Sequence, residues 1–253
     1  FWNQRGVDDV PISPLESTID TRRIHFIANA RAGQELIHER FHVPAQHIEI
    51  VRNALAFTPR DQEREASRRK LGLHKDDVAV AMVANFFSVK DHPTALRAVR
   101  LAIDRGARVQ LLLAGTGPTD AHTHGVRHLV ATLGLQDHVR MLGVVRDIPA
   151  LLAAVDVGVL TSTSEGSSNS LLEYAAAGRA IVASAIPQNA DLLPPDYRYL
   201  AAAGNAPGFA QHLEELARAG DLRERTGAAL RAFVTPRHEP HAALEAFRGL
   251  LDR

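Results

Sequence analysis

Between Asp77 and Ala183, short unbroken apolar runs alternate with stretches whose apolar residues recur every three or four positions. Val78–Val83, Val109–Ala114, Val139–Leu142, Val157–Leu160 and Ala180–Ala183 have the length and composition of buried strands. Pro93–Arg105, with Leu96, Val99 and Ile103 on one stripe, reads as an amphipathic helix, and Gly125–Leu135, Ile148–Ala154 and Ser170–Ala177 read as further helices. A strand that is apolar along its whole length has both faces covered, and strands that alternate with helices run parallel. The pattern therefore predicts an α/β fold: a parallel sheet with helices on both faces. Upstream, Ile24–Ala28 and Ile48–Val51 predict two short strands flanking a helix over Ala32–Phe41, and Asn53–Arg69 predicts a connection with a helical second half. Downstream come an edge strand over Tyr197–Ala201 and helices over Pro207–Arg218, Leu222–Phe233 and His241–Leu250, while Phe1–Asp20 reads as loop. Gly178 is placed to end its helix as a glycine cap.

Ligands of an open parallel sheet bind beyond the carboxyl ends of the strands, so the strand-to-helix loops are where chemistry belongs. Four of these loops stand out: Asn85 to His92 with Lys90, the Gly115-Thr-Gly-Pro118 turn, Val144 to Asp147 with Arg146, and the loop from Glu165 to Ser170. In the last, Glu165-Gly-Ser-Ser-Asn-Ser170 is poor in helix formers, so Glu165 sits on a loop and Glu173 one turn into the following helix. The free N–H groups and positive dipole end of that helix suit an anion, and two flanking carboxylates suit hydroxyls. Phosphate beside sugar hydroxyls describes a nucleotide-sugar. Glu173 has a structural alternative, a capping box running from Ser170. The adopted reading makes Asn169 the N-cap instead, leaving Glu173 free for ligand. Lys90 read alone is a solvated loop lysine; after a buried strand it is a point charge for a diphosphate. The Gly115 turn lacks the third glycine of a dinucleotide fingerprint and reads as a tight turn. His122, His124 and His128 read as an exposed helix face rather than zinc ligands.

Composition narrows the picture. The chain has 253 residues, 45% hydrophobic and 23% charged, with 29 basic residues balanced by 29 acidic ones. Zero formal charge argues against a nucleic-acid partner. The absence of cysteine removes disulfides, thiolate metal sites and cysteine nucleophiles. Lysine occurs only at Lys70, Lys75 and Lys90, an arginine bias read as coding preference. The longest apolar run, Leu151–Leu160, is interrupted by Asp156 and too short to span a bilayer. The chain opens on Phe1 without a signal-peptide pattern, so the expectation is of a piece of something longer. No Asp-x-Asp pair is present to hold a metal against a diphosphate, leaving its neutralisation to side chains and backbone.

The Glu165 to Glu173 spacing, with Gly166 after the first glutamate and Leu171-Leu172 before the second, resembles the retaining glycosyltransferases of family four, which have the GT-B fold. Val83-Ala-Asn85-Phe-Phe-Ser-Val-Lys90-Asp-His92 resembles that family's Gly-Arg-Leu loop followed by Lys-Gly-His, and Leu112 to Pro118 its Gly-x-Gly-Pro turn. The resemblance covers most of residues 24–195. It implies a Rossmann-like donor-binding domain over residues 56–240, a remnant of the N-terminal acceptor domain and linker over 1–55, and a terminal helix over 241–253 that crosses back. It implies that Glu173 meets the nucleotide ribose, Glu165 the donor sugar and Lys90 the diphosphate, with Glu165 and Lys90 as the catalytic pair. Backbone from Gly166 through Ser167, Ser168, Asn169 and Ser170 to Leu171 would hold sugar and phosphate, Gly115 would form the neighbouring turn, and the segment around Arg146 would approach the base. Two departures stand out: Asn85 replaces the usual arginine, removing a charge, and Ser167–Ser170 replaces Phe-Gly-Leu-Pro, changing the donor-sugar surface. The implied activity is transfer from a nucleotide-diphosphate sugar to a glycan, lipid or polysaccharide precursor with retention, without metal or cofactor. The expected location is the cytoplasm or the inner membrane face, with peripheral attachment in the longer protein. The alternatives are a nucleotide-binding fragment without catalysis and a GT-B relative with phosphorylase- or epimerase-like chemistry; a nicotinamide-dependent dehydrogenase is more distant.

Overall fold

A computed structural model describes residues 2–4, 21, 24–117 and 120–251. Two parallel sheets organise the chain. The smaller has the order β1 (Trp2–Gln4), β2 (Phe26–Ala28) and β3 (Ile48–Ile50), with α1 (Arg31–Phe41) between the second and third strands. The helix α2 (Arg64–Lys70) then leads into the larger sheet. Its strands are β4 (Val78–Val83), β5 (Val109–Ala114), β6 (Val139–Gly143), β7 (Val157–Leu160), β8 (Ala180–Ser184) and the two-residue β9 (Leu200–Ala201). They are joined by α3 (His92–Asp104), α4 (Asp120–Thr132), α5 (Ile148–Ala154), α6 (Asn169–Ala176) and the short α7 (Pro187–Ala190). Helices α8 (Ala206–Arg218), α9 (Gly220–Val234) and α10 (Pro240–Leu251) close the described chain.

The order β6-β5-β4-β7-β8-β9 explains where the site forms. The chain builds outward from β4 through β5 to β6, then returns to pair β7 with the other side of β4. The loops after β4 and β7 therefore leave the sheet in opposite directions, opening a crevice at the switch point. Alternating strand residues feed two apolar layers. Val80, Leu111, Val157 and Val182 pack with α3, α4 and α8 on one face; Ala81, Leu112, Leu160 and Ile181 pack with α5, α6 and α9 on the other. Gly227 lets α9 approach closely, since a Cβ there would lie 1.9 Å from the carbonyl oxygen of Gly178. Gly178 itself follows α6 at φ +67, the glycine cap expected from sequence.

Several expectations need correction. Trp2–Gln4 is a strand within the predicted loop, held by main-chain pairing with β2 that a three-residue segment does not announce; residues 5–20 lie outside those described. Helix α4 starts at Asp120, ahead of the predicted Gly125, because its first turns are polar and carry no apolar stripe. The predicted strand over Tyr197–Ala201 shrinks to Leu200–Ala201, and Tyr197 instead uses its hydroxyl, which accepts from the amide of Ile181 at 3.1 Å and donates to its carbonyl at 2.5 Å. Helix α7, a single turn, was not anticipated.

Candidate functional site

The loop after β4 holds a 3-10 turn over Ser88–Lys90 and ends at Asp91, which has φ +47 and caps α3 by accepting from the amide of Thr94. The turn aims Lys90 across the switch point. Its Nζ lies 2.6 and 2.7 Å from the two carboxylate oxygens of Glu165, on the loop after β7. Glu165 is 8% exposed, and its Oε1 also accepts from the hydroxyl of Ser162 at 2.6 Å. A buried carboxylate so neutralised avoids the desolvation cost that an unpaired one would carry.

Helix α6 begins beside this pair. Its N-cap is Ser168, whose hydroxyl accepts from the amide of Leu171 at 3.3 Å, so neither Asn169 nor a capping box from Ser170 serves. The serine wins because its extended backbone places its oxygen over the third helical residue. Asn169 takes no part in the cap; its side-chain oxygen accepts from Asn53 at 2.9 Å. Ser170 donates to the carbonyl of Val83 at 2.6 Å, and the hydroxyl of Tyr174, fully buried, accepts from the amide of Val83 at 2.7 Å, tying α6 to the end of β4. Gly115 turns the chain at φ +147, where a Cβ would lie 2.2 Å from the carbonyl oxygen of Ala84. This turn is closed by its amide, which donates to Gly143 at 2.8 Å. Asn85 accepts from the amide of Thr116 at 3.2 Å, which fixes its amide group at the rim.

These elements enclose an open cleft of about 400 Å³. Asn85, Lys90, Gly115, Glu165, Ser167, Ser168, Asn169 and Ser170, all singled out from the sequence, line it together. Arg146 does not: it borders a neighbouring cavity with Lys70 and Asp147, and Val144 and Val145 face the cleft in its place. Leu171 is fully buried in the core with its amide spent on the cap, and Gly166 is not part of the wall. Glu173 stands one turn behind the opening of α6. It is not part of the cleft wall; burial raises its pKa above the ordinary carboxylate value, and among the described residues no hydrogen bond ends on its carboxylate, the amide of Ala177 donating to its backbone carbonyl instead. Sequence reasoning missed Ser162, which bonds Glu165, and the apolar wall of Val83, Ala84, Ala114 and Ile148; the available signal was the position of the first four at strand ends and of Ile148 at the start of α5. His122, His124 and His128 lie exposed on α4, as expected. No helix among the described residues is long and apolar enough to cross a membrane.

A parallel sheet with a polar, lysine-bearing crevice at its switch point and a helix N-terminus beside it defines a Rossmann-like domain. The chain belongs to the group 1 glycosyl transferases, whose family model matches residues 77–219. It is similar to the putative glycosyltransferase EpsF of Bacillus subtilis (strain 168), 29% identical over 154 residues that make up 60% of this chain and 38% of that protein. It is also similar to the lipopolysaccharide core biosynthesis glycosyltransferase LpsE of Rhizobium meliloti (strain 1021), 28% identical over 208 residues, 81% of this chain and 58% of that one. The chain thus spans less than two thirds of these curated relatives. Among solved structures, Alr3699/HepE of Anabaena in complex with UDP and glucose matches with a TM-score of 0.82 at 19% identity, covering 91% of this chain and 64% of that one. A glycosyltransferase from Rickettsia africae matches at 0.83 and 18%, covering 97% and 68%. At these identities the structural likeness is one of fold.

Proposed function

We propose that this chain is the donor-binding half of a glycosyltransferase that takes a nucleotide-diphosphate sugar and transfers the sugar with retention, without metal or cofactor, to a glycan or lipid acceptor. In this reading residues 56–240 form the donor domain, while 1–55 and 241–253 belong with a partner domain that supplies the acceptor face. The observation that carries it is the convergence of Lys90, Glu165 and the start of α6 on one cleft at the switch point. The diphosphate lies between Lys90 and the amides at the start of α6, Glu165 accepts from sugar hydroxyls, and Glu173, which lacks a donor in the fold, accepts from the ribose. As the bond to the sugar breaks, negative charge grows on the diphosphate, and Lys90 with the helix N-terminus stabilises it in place. Asn85 contributes an amide where a second cation would add charge, so Lys90 carries the larger share of the binding. The UDP held by Alr3699/HepE makes UDP-sugars the first donors to try.

Isothermal calorimetry with nucleotide-diphosphate sugars tests the assignment. Lys90→Ala and Glu173→Ala are each expected to weaken binding by about 1.5–3 kcal/mol, the range for a hydrogen bond to a charged group. Unchanged affinity in both variants would sink it.

A further inference from the structure

Lys90 and Glu165 are 75 residues apart in sequence, and two hydroxyls adjacent at the carboxyl end of β7 reach them: Thr161 bonds the loop of Lys90, and Ser162 bonds Glu165 itself. Thr161 and Ser162 are both fully buried. The Thr161 hydroxyl lies 3.0 Å from the carbonyl oxygen of Lys90 and 2.9 Å from that of Asp91, its one proton shared between them. The Ser162 hydroxyl donates to Glu165. A third strut, the amide of Thr163, donates to the carbonyl of Val89 at 2.8 Å.

We infer that Thr161 and Ser162 are positioning residues for the donor site: Thr161 sets Lys90 through the main chain of its loop, and Ser162 sets Glu165 through its carboxylate. This rests on the donor reading above. The loop that carries Lys90 needs such support. Asp91 holds φ +47, a conformation that an L-residue keeps only when its surroundings over-determine it, and a lysine tip reaching one carboxylate from a short turn moves with that turn. Thr161 lies within hydrogen-bond reach of the two carbonyls on either side of the Asp91 Cα, where the positive φ sits. Ser162 occupies Oε1 with a fixed donor, so the carboxylate keeps its orientation when a diphosphate competes for Lys90, and the remaining lone pairs stay turned toward the cleft. One dipeptide thereby registers a cation for phosphate and an anion for sugar against the same strand. The two residues differ in what they control: Thr161 governs the diphosphate contact, and Ser162 governs the sugar contact.

The experiment is calorimetry on the full chain with UDP, GDP, ADP and CDP, then with the glucose conjugate of whichever binds. Thr161→Val, which keeps the shape and removes the hydroxyl, is expected to weaken nucleoside diphosphate binding about tenfold, and Thr161→Ser to restore it. In a Lys90→Ala background Thr161→Val is expected to add nothing, because the two changes act on one contact. Ser162→Ala is expected to weaken the sugar conjugate more than the free nucleoside diphosphate. Thermal melts identify variants that are folded; should Thr161→Val not fold, the Ser162→Ala split and the Thr161→Ser affinity decide. Where Lys90→Ala loses affinity but Thr161→Val binds like the parent, or costs the same factor with and without Lys90, or Ser162→Ala treats both ligands alike, the inference is overturned and the donor reading stands. If no nucleotide binds, or Lys90→Ala changes nothing, the donor reading fails and the inference fails with it.

Discussion

His92, one residue after the strained Asp91, shows how a single side chain under the site sets a pH limit. It opens α3 at 1% exposure with its ring edge-on to Phe86 at 4.7 Å, and its Nε2 has no hydrogen-bond partner. Burial pushes its pKa down from the ordinary 6.5 to about 4, against a smaller upward pull from a hydrogen bond to the backbone of Ala84. The folded chain therefore keeps His92 neutral where the unfolded chain has protonated it. Stability from this residue is fully present above about pH 6.5 and is lost as the pH falls toward 4, by about 3 kcal/mol across the window. Urea denaturation at several pH values checks this: relative to His92→Asn, the parent should lose stability more steeply between those limits, and parallel profiles would refute it. Ala84 lines the cleft, so the same neutral ring also supports the cleft floor.

At the scale of elements, Asp156 shows what a sequence reading sees and what it misses. It appears in the sequence as the interruption of an apolar run. In the fold its carboxylate accepts from Arg64 at 2.6 Å, from Arg68 at 3.1 Å and from the amide of Ala79 at 2.8 Å, while Arg68, 8% exposed, also donates to the carbonyls of Ala154, His74 and Asp77. Helix α2, polar along most of its surface, is thus fastened to the strand ends opposite the cleft by charge and not by an apolar stripe. Arg68→Ala leaves a buried carboxylate and three carbonyls short of donors, and is expected to cost on the order of 3 kcal/mol in chemical denaturation while nucleotide affinity is unchanged. A variant as stable as the parent would show the network to be idle. The strands from β4 to β8 and their helices were legible because each buries a continuous apolar run or stripe. Elements held by main-chain pairing or polar contacts, namely β1, α7 and the first turns of α4, carry no such period. The site divides the same way. Lys90, Glu165 and Ser167–Ser170 were readable as loop residues after buried strands, whereas the cap at Ser168, the turning of Arg146 away from the cleft and the role of Ser162 depend on backbone angles that residue spacing does not encode.

For the whole molecule, the arrangement of the two sheets bears on what this chain does alone. The cleft is lined by strand ends of the larger sheet, the loops that follow them and the first residues of α5 and α6, so in the proposed reading the donor side lies within that sheet's domain. The smaller sheet meets it through the linker: Asn53 donates to Asn169 at the start of α6, His238 makes a 2.9 Å hydrogen bond with the carbonyl of Asn53, and Arg52 pairs with Asp191 at 3.3 Å. A second cavity of about 470 Å³ lies along this junction, between the linker with Ile27 and Asn29 on one side and α10 on the other, and it presents Leu244 at 54% exposure and Phe247 at 42%. Asn169 borders both cavities, so the start of α6 is where the two cavities meet. Transfer needs an acceptor hydroxyl held at the sugar in near-attack geometry, a contribution that binding the donor alone does not supply. The curated relatives are longer than this chain, and in the proposed reading the acceptor face is supplied by a partner domain. The chain is therefore expected to bind a nucleotide-sugar and to transfer no sugar. Incubation with labelled donor and a panel of glycan and lipid acceptors checks this, with Lys90→Ala as the blank: the parent should yield no labelled product above that blank. Product dependent on Lys90 would place the acceptor site within these 253 residues, and the cavity beside Leu244 and Phe247 would be the first place to look for it.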